Sequence, residues 1–436
     1  MENSLKGKTL ASITLGCKVN MYDTEAMVEI LMANGVIGVP FNERADIYLI
    51  NTCTVTNLGD KKSRQMISRA KSKNPNALVI ACGCYSQVAP DKISETGADM
   101  IIGTKDRARI AEYVIGYFSG EFNRDMVSDI MDQREFEDLS VSGLMEKTRA
   151  YIKIQEGCDR YCSYCIIPYA RGPVRSRLPE NVIKEAQRLS DKGFKEIVLT
   201  GIHVASYGRD LGNISLIGIL KQVHGVENIK RIRMSSIDPV AVTPEFVEAV
   251  KDMPKICGHF HLSLQSGCKK TLTDMNRRYT PEDYEKAVRL LRSVLPEAAI
   301  TTDIIVGFPN ETEEDFKESC DFVERIGLAR LHVFPYSPKS GTTAAVMDNQ
   351  INADVKEERA KIMGGLSLTL QEKFIDSQIE KQQGVLFERY LGNNEYEGLT
   401  SNYINVKMVS GENVENEIVK VRLTGRDGLT GIVEPV

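Results

Sequence analysis

The chain has 436 residues, of which 42% are hydrophobic and 26% are charged, and its formal net charge is −5. This length predicts roughly two to four domains, because single hydrophobic cores rarely grow beyond about 250–300 residues. The sequence has no apolar run long enough to span a bilayer and no signal-peptide pattern, so we expect a cytoplasmic protein without a membrane segment. The acidic balance argues against a protein that coats nucleic acid over its whole surface, but it allows a local basic contact.

The first 120 residues alternate short apolar runs with helical patterns. We predict strands at Thr9–Leu15, Asp46–Asn51, Ala77–Ala81 and Asp99–Ile102, and helices at Tyr22–Asn34, Gly59–Ser72 and Asp106–Tyr117. This alternation predicts an α/β fold class, with a doubly wound domain built on a parallel sheet over residues 1–120.

A cysteine follows each of the first three predicted strands, at Cys17, Cys53 and Cys84. The carboxyl ends of parallel strands share one edge of a sheet, so these three thiols can converge in space. Each alone is typical of a buried structural cysteine, but the three together favour a metal site. Cys82 is a competing ligand, because it lies at the end of the same strand as Cys84. Ten cysteines in a long chain predict metal ligands and buried thiols rather than disulfides.

Residues 121–146 are polar and acidic, and we predict a linker there with one hairpin. Residues 147–372 resume the alternation, with strands at Ala150–Ile154, Glu196–Leu199, Arg231–Met234, His259–Leu264, Ala299–Val306 and Arg330–Phe334. The helices between them are predicted at Pro179–Lys192, Pro244–Lys251, Pro281–Leu295 and Glu313–Ile326. Six strand-helix units predict an open, partial (β/α)6 barrel, whose active site would lie at the carboxyl ends of the strands.

Three cysteines spaced CxxxCxxC, at Cys158, Cys162 and Cys165, directly follow the first strand of this barrel. Three thiolates leave one iron of a four-iron cluster without a protein ligand, and a substrate or cofactor can coordinate there. A structural zinc site needs a fourth cysteine or histidine nearby, and this loop has none. The remaining cysteines have no partners at ligand spacing and are expected to be core or surface thiols, namely Cys257, Cys268 and Cys320.

A helix predicted at Asp354–Glu372 leads out of the barrel. Residues 373–436 then change to short β-rich runs, at Gln383–Arg389, Tyr403–Val409, Ile418–Leu423 and Thr430–Val433. Roughly 60 residues of this kind predict a small all-β barrel, a shape often used to contact RNA.

Taken together, these motifs resemble the radical S-adenosylmethionine methylthiotransferases. The loop from Cys158 to Cys165, continued by Ile166-Ile167-Pro168-Tyr169-Ala170-Arg171-Gly172, is similar to that family's cluster loop. Three amino-terminal stretches are similar to its auxiliary-cluster motifs, at residues 15–20, 51–55 and 83–87, and residues 398–403 are similar to its RNA-binding TRAM domain. Residues 16–20 and 169–173 are most like the branch that acts on N6-threonylcarbamoyladenosine in tRNA. The isopentenyladenosine and ribosomal-protein branches are the nearest alternatives.

The resemblance implies two [4Fe–4S] clusters and S-adenosylmethionine. One cluster would cleave S-adenosylmethionine to a radical that removes hydrogen from C2 of the adenine, and its ligands would be Cys158, Cys162 and Cys165. The auxiliary cluster would carry the sulfur that a second S-adenosylmethionine methylates, and its ligands would be Cys17, Cys53 and Cys84. A non-catalytic iron-sulfur protein that binds RNA is the alternative from another class, but an electron relay does not need an open iron position.

Further contacts follow from the same resemblance. Cofactor contacts are implied at Tyr164, Gly201, His203, Ser235, Ser236, Gln265, Asp303 and Ile305; His203, by spacing alone, is typical of an ordinary strand-end histidine. Lys339 stands where the family more often has arginine, so a phosphate contact there would be less directional. RNA contacts are expected at Arg389, Tyr403, Lys407, Arg422 and Arg426. The implied partners are a tRNA anticodon loop and an electron donor of the flavodoxin or ferredoxin type, and we expect a monomer.

Overall fold

The amino-terminal part of the molecule is a parallel sheet with helices on both faces. The structure is a computed structural model that describes residues 5–141 and 148–436. Its first strands are β1 (Thr9–Thr14), β2 (Ile37–Val39), β3 (Ile47–Thr52), β4 (Leu78–Gly83), β5 (Met100–Ile102) and β6 (Asp125–Met126). The helices are α1 (Lys18–Ala33), α2 (Asn57–Lys73), α3 (Cys84–Val88), α4 (Pro90–Ser94) and α5 (Ile110–Ser119). The predicted doubly wound fold is confirmed, since apolar clusters under α1 and α5 and under α2 and α4 cover opposite faces.

The strand order in this sheet is β2-β1-β3-β4-β5-β6, so the order reverses between β1 and β3. Open α/β sheets bind their ligands at such a reversal, beyond the carboxyl ends of the strands. Strand β2 was not predicted, because it is only three residues long and largely exposed. The predicted linker hairpin is wrong for the described residues 121–141, where β6 instead pairs in parallel with β5. The rest of the proposed linker, residues 142–146, lies outside the described residues.

The middle of the chain forms the predicted open barrel. Its strands are β7 (Arg149–Glu156), β8 (Arg175–Ser176), β9 (Glu196–Gly201), β10 (Arg231–Met234), β11 (His259–His261), β12 (Ala299–Val306) and β13 (Arg330–Pro335). The helices are α6 (Ile167–Arg171), α7 (Pro179–Asp191), α8 (Leu216–His224), α9 (Pro244–Lys251), α10 (Lys269–Asp274), α11 (Pro281–Val294) and α12 (Glu313–Ile326). Six of the strands run parallel in the order β7-β9-β10-β11-β12-β13. Strands β7, β9 and β10 form one sheet and β11, β12 and β13 another, and isolated parallel bridges join the two between β10 and β11. The two-residue β8 adds an antiparallel edge.

Local sequence explains where these helices begin. Proline occupies the first turn of α7, α9 and α11, where its missing N–H costs nothing. Thr280 and Thr312 each form a reciprocal capping box with an aspartate three residues later. The helix ends are therefore encoded locally, as the sequence predicts.

The chain ends in a helix and a closed barrel. Helix α13 (Ala353–Asp376) precedes β14 (Gln382–Gly392), β15 (Glu395–Thr400), β16 (Asn405–Val409), β17 (Ile418–Asp427) and β18 (Thr430–Pro435), which close in the order β14-β15-β16-β18-β17. The predicted all-β barrel is confirmed, with β15 as an unpredicted strand. Helix α13 does not leave the central barrel, because Ser367 Oγ bonds both the N–H and the C=O of Leu331 on β13, each at 3.0 Å. Among the described residues, none of the helices is both long and apolar enough to cross a membrane.

A buried charge network joins the amino-terminal domain to the central barrel. The carboxylate of Asp23 in α1 forms ion pairs with Lys153 of β7 at 2.5 Å and with Arg171 of α6 at 2.9 Å. The guanidinium of Arg107 lies 3.0 Å from the carboxylate of Glu156 in β7. All five side chains are at most 1% exposed, so each charge must be paired to be tolerated. Burial raises the pKa of Asp23 and of Glu156, but the three cations more than offset it and both pKa values are lowered. The network therefore fixes how the two domains face each other.

Candidate functional site

The three amino-terminal cysteines lie together at the carboxyl edge of the sheet. Cys53 directly follows β3 and Cys84 directly follows β4, while Cys17 lies between β1 and α1 and immediately precedes the helix. A Cβ atom on Gly16 would stand 3.1 Å from Cys53 Sγ, so the loop that carries Cys17 approaches Cys53 closely. Gly16 also has a φ of 103°, a backbone conformation that favours glycine. Glycine is therefore what allows these thiols to meet.

The thiols of this set differ in exposure. Cys17 is exposed, Cys53 is half-buried and Cys84 is buried. Burial raises the pKa of Cys84 to about 11, and the neighbouring thiols Cys17 and Cys53 act in the same direction. Iron binding must displace these protons, which couples loading of the site to pH.

Cys82 has a different environment from Cys84. It is fully buried in β4 within the apolar cluster that contains Met27 and Leu49, and its Sγ lies 3.7 Å from the carbonyl oxygen of Ile50. Burial raises the pKa of Cys82 to about 12. The side chain thus packs in the core of the sheet, whereas Cys84 lies beside Cys17 and Cys53.

The CxxxCxxC loop follows β7 and is held from several sides. Gly157 has a φ of 76°, and a Cβ atom there would stand 1.8 Å from the carbonyl oxygen of Pro173. Within the loop, the N–H of Cys165 donates to the carbonyl of Cys162 at 2.9 Å. Burial raises the pKa of Cys158 to about 11 and that of Cys165 to about 12. The three thiols are thus preorganised on one tight loop.

An arginine contacts each cysteine set, and it is buried at the Cys84 set and partly buried at the Cys162 set. Arg171 donates its Nε–H to Cys84 Sγ at 3.2 Å, and Arg277 lies with Nη1 3.2 Å from Cys162 Sγ. Hydrogen bonds to ligating sulfur stabilise the thiolate and tune an iron-sulfur cluster. Sequence reasoning assigned no role to either arginine. Arg171 lies in the stretch that resembles the family's cluster loop, six residues after Cys165, and this position was the sequence signal that could have indicated a role beside a cluster.

Neither three-cysteine set suits a single metal ion. Within the described residues, only Cys268, Asp315 and Glu318 bring three donor atoms within 4.8 Å of one another. Tetrahedral zinc with bonds of about 2.3 Å would hold its sulfurs roughly 3.8 Å apart. Neither cysteine set brings all three sulfurs within 4.8 Å of one another, an arrangement compatible with ligands of a cluster of several irons. Asp315 is already occupied by the cap of α12 and by Lys270, so it is accounted for without a metal.

A cavity of about 400 Å³ lies where the three domains meet. Its walls include Cys17 and Lys18 from α1, the strand ends of the central barrel, and Tyr403 from the terminal barrel. Four of the predicted cofactor residues line it, namely Gly201, Ser235, Ser236 and Asp303. The Oγ of Ser235 is buried without a hydrogen-bond partner among the described residues. The cavity therefore has a largely polar rim of strand-end residues beside the Cys17 set.

The other predicted cofactor residues lie outside this lining. Tyr164 and Ile305 pack against the apolar cluster around Phe308, with the Tyr164 and Phe308 rings 6.4 Å apart. Gln265 extends the pairing of β12 through its backbone, with a φ of 73°.

His203 is held in place by protein groups. Its Nδ1 lies 2.6 Å from Ser206 Oγ and its Nε2 lies 3.4 Å from Asp238 Oδ2. Asp238 is also 3.9 Å from Arg277, the residue that contacts Cys162. His203 is thus connected to the cysteine loop through a chain of polar contacts.

The Tyr403 ring packs against residues of the central barrel, and its expected contact with RNA stays a prediction. Its ring stacks on His259 with centroids 4.2 Å apart, and the Arg233 guanidinium lies 4.8 Å from the same ring. The backbone of Tyr403 has a φ of 72°, so it forms a turn before β16 instead of the predicted strand. The ring therefore joins the terminal barrel to the central one.

The four basic residues expected to contact RNA each face a carboxylate. Arg389 pairs with Glu397, Lys407 lies 3.5 Å from Glu395, Arg422 lies 3.9 Å from Glu380, and Arg426 lies 2.7 Å from Asp376. All of these pairs are solvent-accessible, where ion pairs are weak and exchange readily. Contact of these residues with RNA stays a prediction.

Lys339 has a structural partner. It is buried and forms an ion pair with Asp60 near the start of α2, and Asp60 also accepts a hydrogen bond from Thr54 Oγ1 at 2.8 Å. This contact ties the loop after β13 to the amino-terminal domain.

Comparison with known proteins agrees with this architecture. Residues 152–323 match the Radical SAM superfamily, and residues 9–103 match the family described as uncharacterized protein family UPF0004. The threonylcarbamoyladenosine tRNA methylthiotransferase MtaB of Bacillus subtilis (strain 168) is 42% identical, over 95% of this chain and 93% of that protein. The tRNA-2-methylthio-N(6)-dimethylallyladenosine synthase of Caldicellulosiruptor saccharolyticus is 37% identical, over 92% of this chain and 87% of that protein.

A solved structure supports the fold. The radical S-adenosylmethionine methyltransferase TsrM from Kitasatospora setae, with cobalamin and a [4Fe–4S] cluster bound, matches with a TM-score of 0.59. The match covers 78% of this chain and 74% of that chain at 13% identity, so it bears on the fold alone.

Proposed function

The chain belongs to the radical S-adenosylmethionine methylthiotransferases of tRNA, and we propose that it adds a methylthio group to C2 of N6-threonylcarbamoyladenosine next to the anticodon. The observation that carries the proposal is the 42% identity to a threonylcarbamoyladenosine enzyme over 95% of the chain. The dimethylallyladenosine enzyme is the second candidate, at 37% identity. Both relatives act on tRNA according to their names, which favours tRNA over a ribosomal-protein aspartate. Two cysteine sets with three thiols each argue against a non-catalytic electron relay.

The family implies an iron-sulfur cluster and S-adenosylmethionine, and we propose two [4Fe–4S] clusters. One set of ligands is Cys158, Cys162 and Cys165, and the other is Cys17, Cys53 and Cys84. When bound, these groups supply the radical, the sulfur and the methyl group. The fit rests on three thiols per set, on spacings wider than a single ion needs, and on an arginine beside each set.

The chain's own residues position this chemistry. Gly157 and Gly16 allow the two cysteine loops to approach their neighbours, and Arg277 and Arg171 donate to one thiolate in each set. The cavity beside Cys17 holds the reacting base in a partly enclosed space, where polar contacts are stronger than in bulk water. Contacts of S-adenosylmethionine with the strand-end residues predicted from the family belong to the same proposal.

The partners follow from this chemistry. The substrate is the anticodon loop of a tRNA, which places the reaction in the cytoplasm. We further propose an electron donor of the flavodoxin or ferredoxin type and a monomeric enzyme, with domains at residues 1–120, 147–372 and 373–436.

Mass spectrometry of tRNA nucleosides from a strain that lacks this chain tests the proposal. We expect the 2-methylthio form to disappear and N6-threonylcarbamoyladenosine to accumulate, with recovery when the wild-type gene is restored. Loss of the methylthio form of dimethylallyladenosine instead would identify the second candidate. An unchanged nucleoside profile would contradict both.

A further inference from the structure

One wall of the cavity at the domain junction is cationic. Lys18, the first residue of α1, lines the cavity together with Arg330 and His332 of β13 and His261 of β11. Asp303 is the one carboxylate among the described residues of the lining, and it lies 3.4 Å from His261. The lining therefore carries more positive than negative charge.

Lys18 lacks a protein partner for its ammonium group. No hydrogen bond or ion pair to its Nζ is formed by the described ranges 5–141 and 148–436. The nearby carboxylate of Glu196 is already taken by Arg231 and Arg233, at 3.5 and 2.9 Å. A half-buried ammonium without a protein counter-ion is costly, so Lys18 favours an anion in this cavity.

The helix that begins at Lys18 adds to this preference. The first-turn amides of a helix have no acceptor within the helix, and they form the positive end of its dipole. The side chain of Cys17 does not cap α1, and the first turn of α1 contains no acidic residue. The amides of this turn and the Lys18 ammonium thus favour an anion at the same wall of the cavity.

We propose that this wall binds the carboxylate of the threonylcarbamoyl group on the substrate adenine, with Lys18 as its main partner. The inference rests on the proposed function and extends it to the residue that selects the substrate. The threonylcarbamoyl group is attached to N6 and carries a carboxylate and a hydroxyl group. C2 and C6, the carbon that bears N6, flank the same ring nitrogen, so a base whose C2 faces the Cys17 set places its N6 substituent close by, in this cavity.

The competing substrate fits this wall poorly. A dimethylallyl group is apolar and would leave the Lys18 ammonium buried without a partner, which disfavours that substrate. Ser236 lies in the same lining and can offer its hydroxyl to the threonyl group. A cavity of about 400 Å³ is within the range of small-ligand sites. The wall therefore discriminates by charge.

Equilibrium binding of labelled anticodon stem-loop RNA tests the proposal. The RNAs carry N6-threonylcarbamoyladenosine, its methyl ester, or unmodified adenosine, and the proteins are reconstituted wild type, Lys18→Met and Lys6→Met. Lys6 precedes the amino end of β1, at the opposite end of the strand from Cys17, and is exposed, so it is a matched control. We expect wild type and Lys6→Met to bind the free acid about 10- to 100-fold more tightly than the ester, the range for a hydrogen bond to a charged group. Lys18→Met should reduce this preference of acid over ester to less than about 3-fold.

The outcomes separate this proposal from the proposed function. Equal binding of acid and ester by wild type, or an unchanged preference in Lys18→Met, would overturn the subsite even if wild type methylthiolates the threonylcarbamoyl RNA. Failure of wild type to modify that RNA would contradict the proposed function instead. Iron and sulfide content, together with 5′-deoxyadenosine production without RNA, show whether Lys18→Met still holds its clusters. If it does not, the comparison of acid and ester in wild type and in Arg330→Met decides the question.

Discussion

Replacing Arg171 with leucine should lower the reduction potential of the proposed auxiliary cluster. Arg171 is fully buried, and it is the guanidinium whose Nε–H lies 3.2 Å from Cys84 Sγ. A hydrogen bond from a positive charge to the sulfur stabilises the reduced, more negative cluster more than the oxidised one. Removing this hydrogen bond and charge therefore makes reduction harder.

The magnitude follows from the strength of such a hydrogen bond. A charged hydrogen bond contributes about 1.5–3 kcal/mol. For a one-electron couple, about 1.4 kcal/mol corresponds to roughly 59 mV, so the full bond corresponds to about 60–120 mV. Asp23 and Glu156 already neutralise much of the Arg171 charge, so we expect a decrease of about 60 mV. The same change leaves two buried carboxylates with one cation fewer, which we expect to lower stability by about 3 kcal/mol.

The assay is a redox titration of the auxiliary cluster followed by electron paramagnetic resonance. The background variant replaces Cys158, Cys162 and Cys165 with alanine, so only one cluster is present. Arg277→Leu is the matched control, because Arg277 makes the same 3.2 Å contact with the other cysteine set. Arg171→Gln keeps a donor without the charge, and we expect an intermediate potential. An Arg171→Leu potential within about 10 mV of the Arg277→Leu potential would refute this reasoning.

The remaining predictions concern the cysteines, one glycine and acid stability. Replacing Cys17, Cys53 and Cys84 together with alanine should retain 5′-deoxyadenosine production and abolish sulfur insertion; insertion measured by mass spectrometry in this variant would exclude the auxiliary role. Cys84→Ala should lose the iron of one cluster, whereas Cys82→Ala should keep it, since Cys82 packs in the core. Gly157→Ala should prevent formation of the cluster at Cys158, Cys162 and Cys165, because the added Cβ would stand 1.8 Å from the carbonyl oxygen of Pro173. An iron content equal to that of wild type would contradict this prediction. The lowered pKa values of Asp23 and Glu156, with ordinary values of 3.8 and 4.5, place their stabilisation above about pH 4.5 and remove it as pH falls through the folded values. Urea unfolding between about pH 5 and pH 2 should therefore show a smaller acid-dependent loss of stability for Asp23→Asn than for wild type, and equal losses would be the contrary result.

The sequence alone determined the chain positions of both cysteine sets and the class of each domain. Strand-helix alternation is written in local periodicity, and parallel strands necessarily bring their carboxyl ends to one edge. Cys17, Cys53 and Cys84 could therefore be predicted to converge even though up to 67 residues separate them in the chain. The caps of α11 and α12 were equally local, as each depends on two residues three positions apart.

The tertiary structure decided which side chains surround those cysteines. Arg171 reaches Cys84 across 87 positions in the chain, and Lys339 reaches Asp60 across 279. Tyr403 belongs to the terminal barrel by sequence, but its ring lies against His259 of the central one. Such contacts depend on how whole domains dock, which no local pattern encodes. Periodicity specifies where a strand ends, whereas the charges around its end are set by the packing of distant elements.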